Sequence, residues 1–209
     1  AYIDNLNEAR KVLVSEFGGT LFTIAKDVKL QVEFNPARVQ AYRLIGYENR
    51  KLNDEDFNDD KKDAGELGAG HSVTALYEVI PANVEDSPYL KKVDDLKYQE
   101  IKRKPIVEAM SDEILTIKLR YKTPDGNKSK LMELPVEDEP LAINKTSDNY
   151  KFSAAVAAFG MVLRDSEFKG SSTYASALRL ANASQGADEE GYRAEFINLI
   201  KASQLISGK

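Results

Sequence analysis

Hydrophobic and polar residues alternate along two stretches in the first two thirds of the chain, residues 28–34 and 114–122. Alternation places successive side chains on opposite faces of a strand. The apolar residues are therefore predicted to face the interior, and the lysines and the arginine to face solvent. Residues 39–47 and 71–81 predict two further strands, and apolar residues on both faces of 71–81 favour a central position in a sheet.

A tight turn follows residues 114–122. The sequence Pro124-Asp125-Gly126-Asn127 is typical of a hairpin, because proline presets φ and glycine accepts a positive φ. It leads into a predicted return strand over 128–136. Several short strands joined by turns, without helices between them, predict an antiparallel β-sandwich over residues 20–145.

From residue 146 the apolar residues recur every three to four positions, which predicts three amphipathic helices joined by short loops. The predicted stripes are Phe152, Val156, Phe159 and Leu163 in the first helix, Tyr174, Ala177, Leu178 and Ala181 in the second, and Tyr192, Phe196, Leu199 and Ile200 in the third. Ser147 or Asp148 is suited to cap the first helix and Asp188 the third. The predicted fold class is α+β, an antiparallel β-sandwich followed by a small three-helix C-terminal bundle over residues 146–209.

A further helix is predicted near the start of the chain, where Leu6, Val12 and Leu13 fall at helical spacing. Asp4 or Asn5 is suited to cap it, and the Gly18-Gly19 pair is expected to end it. A lone helix has no evident partner in a β domain. We therefore expect residues 1–19 to be the trailing edge of a truncated domain, and the chain to be part of a larger protein.

Composition excludes several kinds of chemistry. The 209 residues include no cysteine, which rules out disulfides, thiolate nucleophiles and zinc–sulfur sites within them. A cysteine-free chain suits an oxidising compartment, which favours the cell envelope. No apolar run approaches the roughly 18–20 residues that cross a bilayer, so membrane insertion by this region is not expected.

Charge is concentrated in one segment. The formal net charge is −5, and residues 53–66 alone hold seven acidic residues and two lysines. The rest of the chain is therefore neutral overall. Scattered bases in a net acidic protein predict no nucleic-acid partner.

This segment, called here the acidic loop (residues 53–66), partly copies a calcium-binding motif. Asp54-x-Asp56-x-Asn58 matches the opening of an EF-hand loop, in which oxygen ligands recur at every second residue. The match fails at the sixth position, which is Asp59 instead of glycine, and at the twelfth, which is Gly65 instead of glutamate. A solvated or capping loop is the favoured interpretation, and a calcium-stabilised adhesion module is an alternative.

The chain has one histidine, His71, where a glycine-rich loop enters a predicted strand. A hydrolase using His71 with nearby carboxylates is therefore a second alternative, although the adjacent Ser72 must point to the opposite strand face. No phosphate-binding, zinc-protease or nucleophile-elbow motif occurs. We predict that the chain is not an enzyme. We assign no catalytic, cofactor-binding or metal-binding residue, and we expect no cofactor.

Several segments carry a resemblance to a known family. They are Val32 to Pro36, Tyr42 to Arg50, Asp56 to Asp59 with Asp63 to Glu66, Gly70 to Glu78, Leu119 to Gly126 and Phe152 to Gly160. Together they resemble the C-terminal region of bacterial YfbK-type proteins, in which a domain of unknown function follows a von Willebrand factor type A domain. The resemblance extends over about residues 20–206, and Tyr2 to Ala9 resembles the last strand and helix of the type A domain itself.

The resemblance implies a setting for the chain. It implies export to the cell envelope, periplasmic or lipid-anchored, often as a lipoprotein. The metal-dependent adhesion site of type A domains is built around Asp-x-Ser-x-Ser, which does not occur in these residues. The predicted function is a non-catalytic structural and protein-interaction module. Its expected partners are the preceding type A domain in cis and a further protein.

Overall fold

The structure, a computed structural model, describes residues 3, 5–15, 22–47, 52–62, 64–84, 87–90 and 111–208. The strands are β1 (Thr23–Phe34), β2 (Val39–Ile45), β3 (Gly65–Gly68), β4 (Leu76–Pro81), β5 (Glu113–Lys122) and β6 (Lys130–Glu137). The helices are α1 (Leu6–Arg10) with a π-helical continuation (Lys11–Ser15), α2 (Asp148–Leu163), α3 (Tyr174–Ala183) and α4 (Tyr192–Ser207), beside short 3₁₀ turns at Asp54–Phe57 and Ile143–Lys145. The predicted α+β class is confirmed.

By its internal contacts the chain divides into two compact units. One comprises residues 1–43, 47–73 and 77–138, and the other residues 44–46, 74–76 and 139–209. The domain boundaries drawn from the sequence stay predictions.

The strands form a four-stranded sheet in the order β3-β1-β5-β6 and a two-stranded sheet of β2 and β4. Each neighbouring pair in the four-stranded sheet is antiparallel. The central strands are therefore β1 and β5, and the expectation that residues 71–81 form a central strand is wrong. Regular pairing there begins only at Leu76, and β4 pairs with β2 among the described residues.

The pairing register gives the four-stranded sheet two unlike faces. Cross-strand partners share a face, so the apolar sheet face consists of three rows running across β1, β5 and β6. The rows are Leu30–Leu119–Met132, Val32–Ile117–Leu134 and Phe34–Leu115–Val136. The opposite, polar sheet face carries Lys29–Arg120–Leu131, Gln31–Lys118–Glu133 and Glu33–Thr116–Pro135. Period-two alternation thus predicted correctly which residues of β1 and β5 share a face, although Lys122 on the polar face is buried and Leu30 on the apolar face is exposed.

The hairpin between β5 and β6 forms where the sequence predicts it, with the Gly126 N–H donating to the Thr123 carbonyl at 2.9 Å. The expected reason for the glycine is wrong, because Gly126 does not have a positive φ. A Cβ atom at this position would instead clash with the Thr123 side chain. A larger residue at this position would require the Thr123 side chain to move.

The helical part of the chain has a buried cluster that combines alanines with aromatic and isoleucine side chains. Its buried cluster contains Ala155 and Phe159 of α2, Tyr174, Ala177 and Ala181 of α3, and Ile197 and Ile200 of α4. The predicted stripe of α3 is therefore confirmed. Those of α2 and α4 are partly wrong, because Val156, Leu163 and Leu199 are exposed.

Of the two cap candidates for α2, Ser147 is the N-cap residue, whereas the N-cap residue of α4 is Gly191 and Asp188 acts on that helix from three residues earlier. Ser147 Oγ accepts from the Tyr150 N–H at 3.1 Å at the start of α2. Asp188 accepts from the backbone N–H groups of Arg193 and Ala194, at 2.9 and 2.7 Å, at the start of α4. Burial raises the pKa of the Asp188 carboxyl, but these two hydrogen bonds, together with one from the Gln185 side chain and the positive charge of Arg193, bring the net pKa below the ordinary 3.8.

Replacing Asp188 with alanine is expected to lower the free energy of unfolding by about 1 kcal/mol near neutral pH, because the side chain that accepts from the first free N–H groups of α4 is lost. A carboxyl whose pKa is lower in the folded than in the unfolded state stabilises the fold at pH values above the unfolded-state pKa. This contribution is lost as the pH falls through the folded-state pKa. The difference between the two proteins should therefore shrink below about pH 4. Urea titrations at several pH values would measure it, and a difference independent of pH would contradict the assignment.

At the other end, Asn5 caps α1 as predicted, since its side-chain oxygen accepts from the Glu8 N–H at 2.9 Å. The Gly18-Gly19 pair expected to end this helix lies outside the described residues.

The apolar residues Leu6, Leu13 and Val14 of this helical segment are exposed by 87%, 60% and 69%. Among the described residues, no helix is both long and apolar enough to cross a membrane.

Candidate functional site

The acidic loop uses its own carboxylates to hold its local shape. The Asp56 carboxylate accepts from the Asn53 backbone N–H at 3.3 Å and from the Asn53 side-chain amide at 3.2 Å. The Asp59 carboxylate accepts from the Lys61 N–H at 2.8 Å. Asp56 also pairs with Lys62, whose Nζ lies 3.6 Å away. This geometry agrees with the capping interpretation of the acidic residues.

The side chain of Lys29 in β1 binds the backbone of the acidic loop. Its side chain is only 2% exposed, and its Nζ donates to the Asp56 carbonyl at 3.0 Å and, in a shorter contact, to the Asp59 carbonyl. A buried ammonium needs such partners, because desolvation otherwise disfavours the charge strongly. The expectation that the lysines of residues 28–34 face solvent is therefore wrong at this position.

Lys122 makes a second fastening at the end of β5. It is 9% exposed, and its Nζ donates to the Asp27 carboxylate at 2.7 Å and to the Asp60 carbonyl at 2.8 Å. Asp27 lies in a β-bulge of β1, between Lys26 and Lys29, with φ of 51°. The bulge inserts an extra residue into β1, and the carboxylate of Asp27 in this bulge binds the ammonium group of Lys122.

Arg120 completes the contact between the loop and the polar sheet face. Its guanidinium lies over the buried Phe57 ring, 5.5 Å from the centroid, and donates to Asn58 Oδ1 at 3.0 Å and to Ser129 Oγ at 2.8 Å. A hydrogen bond from the Ser129 side chain, followed by the positive charges of Lys122 and Arg120, lowers the pKa of the Asp60 carboxyl. The loop is thus held by three basic side chains of β1 and β5.

These contacts bear on whether the loop takes a cation. Three of its carbonyl oxygens, those of Asp56, Asp59 and Asp60, already accept from lysine ammonium groups. Oxygen atoms of this kind are the ligands that calcium prefers. In the part of the chain that the structure describes, no group of three or more His, Asp and Glu residues is placed to hold a metal ion.

We therefore expect millimolar calcium to leave the melting temperature of this protein unchanged within error. A ligand that binds only the folded state raises that temperature, so a calcium-stabilised loop would respond clearly. Differential scanning calorimetry with calcium, and with magnesium at the same ionic strength as the control, would check this. A shift specific to calcium would restore the adhesion alternative.

His71 makes none of the side-chain contacts that join the acidic loop to the sheet. Its side chain is exposed in the irregular segment before β4, and its backbone N–H donates to the Gly68 carbonyl at 3.2 Å. A catalytic histidine needs a group that orients its ring. Among the described residues the His71 side chain takes part in no hydrogen bond or ion pair. The hydrolase alternative stays a prediction, without support from this geometry.

Sequence reasoning did not find the two fastening lysines. One signal was available, because a segment of charge −5 in an otherwise neutral chain attracts the basic side chains that the fold brings near it. Alternation alone assigns every polar residue of a strand to solvent. It cannot tell which of them a distant loop will cover.

Comparison with known proteins places this α+β chain in a class of C-terminal regions of longer bacterial proteins. The chain belongs to the family described as "Uncharacterized protein YfbK, C-terminal", which matches residues 19–206. It is similar to "Uncharacterized protein YfbK" of Escherichia coli (strain K12), with 43% identity over 207 residues, 99% of this chain and 34% of that protein. No solved structure matches. The predicted resemblance is confirmed, and the chain spans about a third of the length of this curated relative.

Proposed function

We propose that the chain is a non-catalytic structural and protein-interaction module that follows a von Willebrand factor type A domain in a bacterial cell-envelope protein. Its partners would be that domain in cis and a further protein, without nucleic acid. The resemblance to YfbK-type proteins supports the arrangement, and the absence of cysteine is compatible with the envelope.

The observation that carries this proposal is the exposed apolar stripe of α1 and its π-helical continuation. Leu6, Leu13 and Val14 are each more than half exposed in the chain as described. A helix of about ten residues is marginal in water and normally depends on packing of its apolar face. We infer that this stripe packs against the preceding domain in the longer protein.

The acidic loop fits a structural role. Its carbonyls and several of its carboxylates are engaged with Lys29, Lys122 and with backbone N–H groups. Such a network fixes the path of a long loop across a sheet. A loop used in this way stabilises the module and needs no reactive group.

The finer architecture is also part of the proposal. We infer that the two sheets face one another as a sandwich, because Phe34 of β1 stacks on Tyr42 of β2 at 4.3 Å between centroids and meets Tyr77 of β4 edge-on at 5.4 Å. We further infer that α2, α3 and α4 form a three-helix bundle. The shared cluster around Phe159 and Ile200 supports it.

The stripe can be tested in the full-length protein by replacing Leu13 with aspartate. If α1 packs on the preceding domain, the variant should be cleaved faster near the start of this region by subtilisin, a protease of broad specificity that does not depend on a lysine or arginine at the cleavage site, because the charge weakens the docked state. Lys11 to Glu, on the same helical segment, is the control and should be cleaved at nearly the wild-type rate. Equal rates for wild type, Leu13→Asp and Lys11→Glu would overturn the proposal.

A further inference from the structure

The three rows of the apolar sheet face are not equally covered. Phe34, in the last row, is buried under Tyr42 and Tyr77. This end of the face is therefore closed by aromatic rings of the two-stranded sheet.

The other end of the same face is open. Leu30 and Met132, in the first row, are 54% and 56% exposed, and Leu134, in the middle row, is 60% exposed. They flank Ile117 and Leu119 of the central strand β5, so the exposed side chains are continuous with the closed end. A contiguous apolar surface on a sheet marks an interaction site more often than an isolated exposed leucine does.

The size of the open area favours an occupant in the same polypeptide. A stable interface between separate chains involves about 20–30 residues on each side. The open area is much smaller, since it consists of the half-exposed side chains of Leu30, Met132 and Leu134 and the two β5 residues between them. Tethering raises the effective concentration of a partner to the millimolar range, at which a small apolar contact is sufficient.

The comparison with the E. coli relative indicates where such an occupant lies. This chain corresponds to 34% of that protein, and the family is described as its C-terminal part. About two thirds of the relative therefore lies outside the match, on the upstream side. Upstream chain joins this region next to α1, whose apolar residues are also exposed.

We propose that the open rows of the apolar sheet face, centred on Leu30, Met132 and Leu134, are covered by the polypeptide that precedes this region in the longer protein. This inference rests on the proposed function, which requires the two parts to dock. It adds the surface on the sheet through which they do so. The preceding part would supply apolar side chains that complete the cover begun by Tyr42 and Tyr77.

Cysteine labelling in the full-length protein tests this directly, because these 209 residues contain no cysteine of their own. Cysteine is introduced singly at Met132 and at Leu134, with any cysteine elsewhere in the protein replaced by serine. Leu131 is the matched control, since it neighbours Met132 on β6, is 45% exposed and belongs to the polar sheet face. The readout is the rate of maleimide reaction, normalised to the rate in denaturant.

The Met132→Cys and Leu134→Cys variants should react at least about tenfold more slowly than Leu131→Cys, because labelling occurs only from the undocked fraction. Equal normalised rates would overturn the inference. Protection that disappears on dilution would also overturn it, because a second copy would then be the occupant.

The outcome can be separated from failure of the proposed function. If Leu13→Asp accelerates cleavage but the Met132 and Leu134 sites react freely, the two parts dock and the sheet face is the wrong surface. If Leu13→Asp has no effect and both sites react freely, neither statement holds.

Discussion

Replacing Lys29 with methionine is expected to lower the free energy of unfolding by about 2–3 kcal/mol. Methionine keeps much of the apolar stem but cannot donate to the carbonyls of Asp56 and Asp59. A hydrogen bond from a charged donor contributes about 1.5–3 kcal/mol, and part of this is recovered when water reaches the freed carbonyls of an exposed loop. The loss of a positive charge beneath a segment of acidic residues acts in the same direction.

Urea unfolding followed by far-UV circular dichroism would measure this change through the midpoint at constant slope. Lys130 is the matched control, since it lies at the start of β6 in the same sheet and is exposed. Lys130→Met should change the free energy of unfolding by less than about 0.5 kcal/mol. Similar effects at Lys29 and Lys130 would mean that the Lys29 contacts do not hold the acidic loop.

The second large effect is expected in the helical part of the chain. Replacing Phe159 with alanine should lower the free energy of unfolding by about 3–5 kcal/mol, because a buried aromatic ring is lost and a cavity remains. Phe159 is 5% exposed and lies edge-on to Phe196 at 5.5 Å and near Tyr174 at 6.1 Å between centroids. It thus contacts α3 and α4 from α2.

Thermal unfolding monitored by the helical circular dichroism signal would report this loss. Val156, on the same helix and 44% exposed, supplies the control. Val156→Ala should cost less than about 1 kcal/mol, since little apolar surface is removed from the interior and alanine favours the helix. If the two variants were equally destabilised, the predicted stripe containing Val156 would be the true buried face.

The helical stripes illustrate one limit of sequence reasoning. The stretch from Phe152 to Leu163 is apolar or small at most positions, so several neighbouring stripes fit a helical period equally well. In the structure Ala155 is fully buried and Val156 is exposed. Small residues such as Ala155 allow α3 to approach α2 closely. Which face of α2 is buried therefore depends on the shape of the neighbouring helix.

The strands illustrate the opposite case for β1 and β5. Period-two alternation is a local property of the backbone, so the sequence predicted both strands and the apolar face that they share. Whether a strand is central or at an edge depends instead on which other strands pair with it, and these can be distant in the sequence. For that reason residues 71–81 were predicted to be central although β4 pairs with β2.

By itself the sequence determined the α+β class and the hairpin at residues 124–127, and it indicated the resemblance to the YfbK C-terminal family. It narrowed the caps of α1 and α2 to Asp4 or Asn5 and to Ser147 or Asp148, and it placed Asp188 at the start of α4. Each of these depends on residues close together in the chain or on direct sequence similarity. The tertiary structure alone decided that Lys29 and Lys122 are buried beneath the acidic loop. The two residues in each of these contacts lie between 27 and 62 positions apart in the sequence. Only the folded chain brings the lysine ammonium groups to the carbonyl oxygens of the acidic loop.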